Sequence, residues 1–105
     1  MINQQYLEIL KGCSEFEQAV NFALNEHKEY GIVNQNTYQK VCNSFSDAIA
    51  KIVANQDIFR NPIMMFVYSV LNDRLCEYRY RTGNHINSCE IMYKLLVKMV
   101  GNNLR

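Results

Sequence analysis

Tryptophan is absent from the 105 residues, proline occurs once and glycine only four times. With so few chain breakers, neither a loop-rich fold nor a polyproline or collagen-like chain fits. There are two histidines and four cysteines, Cys13, Cys42, Cys76 and Cys89, and no Cys-x-x-Cys pair. A zinc site would therefore have to gather its ligands from distant positions without any spacing signal, and no metal or other cofactor is expected. The thiols read as free and mostly buried, the usual state of cysteine in a reducing compartment. No glycine-rich phosphate loop and no strand-turn-helix nucleophile motif can be found.

Long apolar runs are missing too. The longest, PIMMFVYSVL from Pro62 to Leu71, is about half of what a bilayer crossing needs and includes Tyr68 and Ser69. It reads as a core segment, and no membrane contact is expected. The opening MINQQYLEIL has neither the basic start nor the continuous apolar stretch of a secretory signal. The cytoplasm is the expected location.

What is present is an ordinary globular balance, 49% hydrophobic and 20% charged. A chain of this length buries one modest core, so residues 1–105 are expected to form a single helical-bundle domain. The net charge is +1, unevenly spread: the first 73 residues are net acidic and the remainder net basic. That polarity is mild for a surface that tracks phosphates.

Helix signals recur along the chain, whereas strand-like alternation does not. Ile2, Tyr6, Ile9 and Leu10 share a face before Gly12, which suggests a short leading helix stopped there. Ser14 to Glu17, SEFE, matches a capping box. A helix over 14–30 then places Phe16, Ala19, Val20, Ala23, Leu24 and His27 on one stripe and stops at Gly31, after which Ile32 and Val33 are expected to dock into the core. Asn36 to Gln39, NTYQ, repeats the start signal for a helix over 37–54, with a stripe of Tyr38, Val41, Cys42, Phe45, Ala48, Ile49, Ile52 and Val53 and with Asn55 as a left-handed stop. Asn61 and Pro62 open a third helix over 62–82, closed by Gly83. Because Ile63 to Leu71 is apolar nearly all round, this helix is expected at the centre with neighbours on several sides. Asn87 to Glu90, NSCE, opens a fourth over 88–100, carrying Ile91, Met92, Leu95, Leu96, Met99 and Val100, with Gly101 as its stop. Short connections favour antiparallel neighbours, so the expected fold is all-α: a compact antiparallel four-helix bundle with a short additional N-terminal helix.

One stretch invites a functional reading. RLCEYRYRTGNH, residues 74 to 85, holds three arginines, two tyrosines and a histidine. On the third helix Ile63, Val67, Val70, Arg74, Tyr78 and Arg81 fall on one face, so Arg74 occupies a position where an aliphatic residue is expected. Glu77 is one turn from both Arg74 and Arg81, which predicts a local ion pair whose arginine stems cover apolar surface. Arginine and tyrosine are also enriched where proteins meet. Arg79 and His85 have the separation seen in some helical ribonucleases, but Gly83 and Asn84 put His85 on a loop. His27, on the apolar stripe of its own helix, reads as a core imidazole.

Seven tyrosines, five phenylalanines and five methionines exceed what a small four-helix core needs, and Phe22, Met64, Tyr80 and Tyr93 fall off the main stripes. The sequence therefore favours a small non-enzymatic module that binds another protein as an inhibitor, immunity factor or accessory subunit. Its expected contact residues are Arg74, Tyr78, Arg79, Tyr80, Arg81, Tyr93 and Lys94. A wider core, completed by a second copy in a homodimer, accounts for the same surplus of apolar residues. The alternative is a nucleic-acid-binding regulator or accessory subunit using the basic C-terminal half, with tyrosines stacking on bases; Glu77 and Glu90 count against it. A third reading is a helical RNase dependent on Arg79 and His85. The asparagine-, isoleucine- and tyrosine-rich vocabulary is compatible with a phage or mobile-element origin.

Overall fold

A computed structural model describes residues 4–55, 62–84, 94 and 97. The fold is all-α: α1 spans Gln4–Tyr30, α2 Gln35–Asn55 and α3 Pro62–Thr82, and no strand occurs among the described residues. The fourth helix expected over 88–100 lies outside the described residues except for Lys94 and Val97, both helical and exposed.

The leading helix is not separate. α1 runs without a break through Gly12 and Ser14, and the reason is a close helix crossing. Gly12 is buried, and a Cβ placed on it would sit 3.5 Å from Ala48 Cα and 3.4 Å from Lys51 Cδ. At this small residue α2 lies close against the α1 backbone, and a glycine costs only about 1 kcal/mol inside a helix. Ser14 is exposed, and its hydroxyl lies 3.5 Å from the Gln18 side-chain nitrogen. Because the space around Gly12 accepts a methyl group at ordinary contact distance, Gly12→Ala is expected to stabilise the protein by up to ~1 kcal/mol in urea titration. Gly12→Leu is expected to destabilise it by ~1–3 kcal/mol through overpacking.

The two glycine stops do form. Gly31 and Gly83 have φ of 78° and 73°, the left-handed conformation that closes helices. Their N–H groups donate to the carbonyls of His27 at 2.8 Å and Arg79 at 2.9 Å. Asn55, in contrast, is still helical.

At the start of α2 the N-cap is Asn34, two residues before the position suggested by NTYQ. Its side-chain oxygen accepts from the Asn36 N–H at 2.8 Å, and its carbonyl accepts from the Tyr38 N–H at 2.9 Å. Glu26 of α1 reaches across: its carboxylate accepts from the Asn34 N–H and, at 3.0 Å, from the Thr37 hydroxyl. A negative charge beside a helix N-terminus is favourable. The same bonds fix the angle at which the chain turns, and Ile32, expected in the core, is left 70% exposed while Val33 packs against it.

Contacts give the helix directions. Gly12 meets Ala48 and Lys51 while Glu26 meets Thr37, so α1 and α2 are antiparallel. Arg74 meets Glu17 and Asn21, and one turn later Tyr78 feels the charge of Glu26, so α3 runs parallel to α1. Between them lies a core of Ile9, Phe16, Val20 and Ala23 from α1, Val41, Phe45, Ala48, Ile49 and Ile52 from α2, and Met64, Leu71, Leu75 and Tyr78 from α3. The Phe16 and Phe45 rings pack tilted, with centroids 5.4 Å apart. The stripes read for α1 and α2 are thus largely those that are buried, although Leu10 is 53% exposed.

α3 departs from expectation in its phase. Met64, thought to lie off the stripe, is buried, as are Leu71 and Leu75; Ile63, Val70 and Arg81 are exposed. Nor is the helix enclosed on all sides, since Met65 and Phe66 are also exposed. A nearly uniform apolar run carries no periodicity from which to read its inward face.

Candidate functional site

The residues singled out between 74 and 85 separate into three groups once α3 is in place. Arg74 is a structural clamp. Its side chain is only 20% exposed, and it forms an ion pair with Glu77 at 2.6 Å, as the i,i+3 spacing implies. Its guanidinium also donates to the Asn21 side-chain oxygen of α1, and its Nε lies 2.9 Å from a Glu17 carboxylate oxygen. That last contact is Coulombic, because Nε is not aligned for a hydrogen bond. Arg81 closes the network with Glu77 at 3.4 Å. Nothing in the local sequence announces Glu17 and Asn21 as partners, since both are more than fifty residues away.

Glu77 is held below the usual carboxylate range, first by its hydrogen bond from Arg74 and then by the charges of Arg74 and Arg81. The sign follows directly. A carboxyl group more acidic in the folded chain than in the unfolded one stabilises the fold at neutral pH, and this contribution is lost as the pH falls through the folded-state value.

Tyr78 is core. It is fully buried, so no partner can reach its ring in this fold, and its place among the contact residues is withdrawn. Burial raises the pKa of its phenol, an effect that hydrogen bonds involving Asn84 and Thr82 partly offset. The Asn84 amide donates to the Tyr78 oxygen at 3.1 Å, the Thr82 hydroxyl donates to the Tyr78 carbonyl at 2.8 Å, and the Asn84 N–H donates to the Thr82 hydroxyl at 3.2 Å. Together with Gly83 these bonds make a well-fastened helix end.

On the outside of that end are Arg79, Tyr80 and Arg81. Tyr80 is 91% exposed, Arg81 is exposed and Arg79 half-buried. Cys76, Arg79, Tyr80, Gly83 and Asn84 line a shallow concavity of about 400 Å³. Lys94 is exposed, whereas Tyr93 and His85 lie outside the described residues. The Arg79 and His85 pairing therefore has no geometry to set against its spacing.

A second groove, of about 440 Å³, lies between α1 and α2. Phe22, 61% exposed, stands in it among Glu15, Lys40 and Asp47. The off-stripe position of Phe22 was its only sequence signal; the groove itself needs two helices 20 residues apart.

Of the cysteines, Cys13 and Cys42 are half-buried and Cys76 is exposed, so the described thiols are free but less buried than expected. Burial pushes the pKa of both Cys13 and Cys42 up, only partly countered by Lys51 near Cys13 and by a hydrogen bond involving Tyr38 at Cys42. Such thiols stay protonated and are poor nucleophiles. His27 is half-buried on the core side of α1, and its carbonyl serves the Gly31 stop. Among the described residues no three His, Cys, Asp or Glu side chains are grouped to hold a metal ion, and no helix is long and apolar enough to cross a membrane.

No protein-family model matches the chain, and no curated protein or solved structure matches it significantly.

Proposed function

We propose that the protein is a small non-enzymatic binding module, an inhibitor, immunity factor or accessory subunit, which meets a protein partner through the C-terminal end of α3. The observation that carries this reading is Tyr80: a 91% exposed aromatic ring held on a helix end fastened by Gly83 and Asn84, with Arg79 and Arg81 beside it. A rigid aromatic loses little conformational entropy on binding, and arginine and tyrosine are the residues that most often dominate interface energetics. The proposed contact set also includes Tyr93 and the exposed Lys94. In this reading the fold is completed as a four-helix bundle by residues 88–100. Lys94 and Val97 are both helical and exposed.

The test is affinity capture of the tagged protein from nuclease-treated and untreated lysate of its host, comparing the wild type with Tyr80→Ala and Arg79→Ala. A stoichiometric protein partner retained after nuclease treatment, and held about 10- to 100-fold more weakly by Tyr80→Ala, is the expected result. Recovery of nucleic acid alone, weakening steeply with salt and with neutralisation of Arg79 and Arg81, moves the function to the nucleic-acid reading. A partner captured equally well by both variants places the contact elsewhere.

A further inference from the structure

Of the arginines in the C-terminal half of α3, Arg79 stands apart. Arg74 faces the carboxylates of Glu17 and Glu77, and Arg81 shares Glu77. Among the described residues no side chain pairs with Arg79, although it is half-buried. The acidic residues of α3 leave it so: Glu77 is taken up by Arg74 and Arg81, and Asp73 lies six residues before Arg79, about 9 Å back along the axis. A guanidinium partly withdrawn from water gains most from a carboxylate brought to it, because the charge-assisted bonds replace the lost hydration. Beside it, Cys76, Tyr80, Gly83 and Asn84 complete the shallow concavity at the helix end.

We infer that this concavity receives an acidic side chain of the protein partner, an Asp or Glu carboxylate gripped by the Arg79 guanidinium, with an apolar neighbour of that residue lying against the Tyr80 ring. The inference rests on the protein-binding reading above and adds the chemistry of the partner segment. The planar guanidinium offers two parallel N–H donors that match the two oxygens of a carboxylate. Gly83, whose N–H donates to the Arg79 carbonyl at 2.9 Å, fixes the backbone from which that fork projects. Tyr80, 91% exposed, supplies apolar area one residue away. A nucleic acid matches this surface less well. Its binding draws on several phosphates neutralised by a row of free cations, and here Arg74 and Arg81 already face carboxylates of their own chain.

A random dodecapeptide phage library, panned on the immobilised full chain, supplies the probe. The expected result is enrichment of peptides that carry Asp or Glu beside an apolar residue. Synthetic copies are expected to shield the exposed Cys76, in the same concavity, from alkylation by a maleimide. Their affinity is expected to fall ~10-fold or more in Arg79→Gln, and by less than ~2-fold in Lys40→Gln, which removes the same charge from the groove beside Phe22. Changing the peptide's carboxylate to an amide should cause the same loss on the unaltered protein, which separates the contact from any effect of Arg79→Gln on folding. Panning on Arg79→Glu is expected to recover basic peptides instead. Binders without acidic enrichment, or acidic ones that hold Arg79→Gln as tightly as the wild type, overturn the inference and leave the protein-binding reading in place. An oligothymidylate of about 20 nucleotides that shields Cys76 where no peptide does overturns both. Recovery of no peptide at all overturns the inference alone, the lysate capture then deciding the reading beneath it.

Discussion

Phe16→Ala is expected to remove about 3–5 kcal/mol of stability, the range for truncating a fully buried aromatic ring. For a protein of this size that is a large share of a total in the region of 5–15 kcal/mol. Phe16 is at the centre of the three helices, 0% exposed and packed against Phe45 of α2, one turn from the close approach of α1 and α2 at Gly12. Rigid helices cannot collapse into the space left behind, so the loss combines the transfer term with a cavity term. Urea denaturation followed by circular dichroism measures it. Phe16→Ala and Phe45→Ala should combine non-additively, with a coupling of ~0.5–1.5 kcal/mol from the ring pair. A loss below ~1 kcal/mol for Phe16→Ala would show that the core is not centred where the helices place it.

Tyr78→Ala is expected to have a comparable effect, about 3–5 kcal/mol, for the same reason. Tyr78→Phe separates the ring from its hydroxyl: the hydrogen bond from Asn84 and the interaction with the Thr82 hydroxyl are lost, at a cost of ~0.5–1.5 kcal/mol per bond. The phenol also gives a pH signature. Its pKa is raised in the folded chain by burial, so ionisation opposes folding. Stability from this group is fully present below the ordinary tyrosine range and is lost as the pH rises through the folded-state value. The wild type should therefore lose stability at alkaline pH faster than Tyr78→Phe does, as followed by thermal unfolding across that range. Were Tyr78 a partner contact, the pattern would be reversed, with Tyr78→Ala losing binding while keeping its melting temperature.

Much of the secondary structure was legible because its signals are local. Pro62 at a first helical turn, Gly31 and Gly83 in left-handed stops, and the 3.6-residue stripe of α2 each depend on neighbours within one turn or two. Gly12 misled because one residue type serves two purposes. A glycine stops a helix when it takes a positive φ, and it also admits a second helix when it stays helical; only the position of Ala48 and Lys51 distinguishes the two. Asn34 was passed over as the cap because Glu26, eight residues before it, is what fixes the turn there.

The candidate site was half legible. The pairing of Arg74 and Arg81 with Glu77 follows from helical spacing and is found in the fold. That Arg74 is used up in clamping α3 to Glu17 and Asn21, that Tyr78 points inward and that Tyr80 points outward depend on how α3 is rotated about its axis. The sequence by itself determined the all-α class, the limits of α3 and the inward faces of α1 and α2, since each is set by backbone chemistry or by an amphipathic period. The rotation of α3 was decided by tertiary structure alone. Where almost every side chain from Ile63 to Leu71 is apolar, all faces are nearly equal in transfer free energy, and the choice falls to shape and to the long-range ion pair with Glu17 and hydrogen bond to Asn21 that fasten one face to α1.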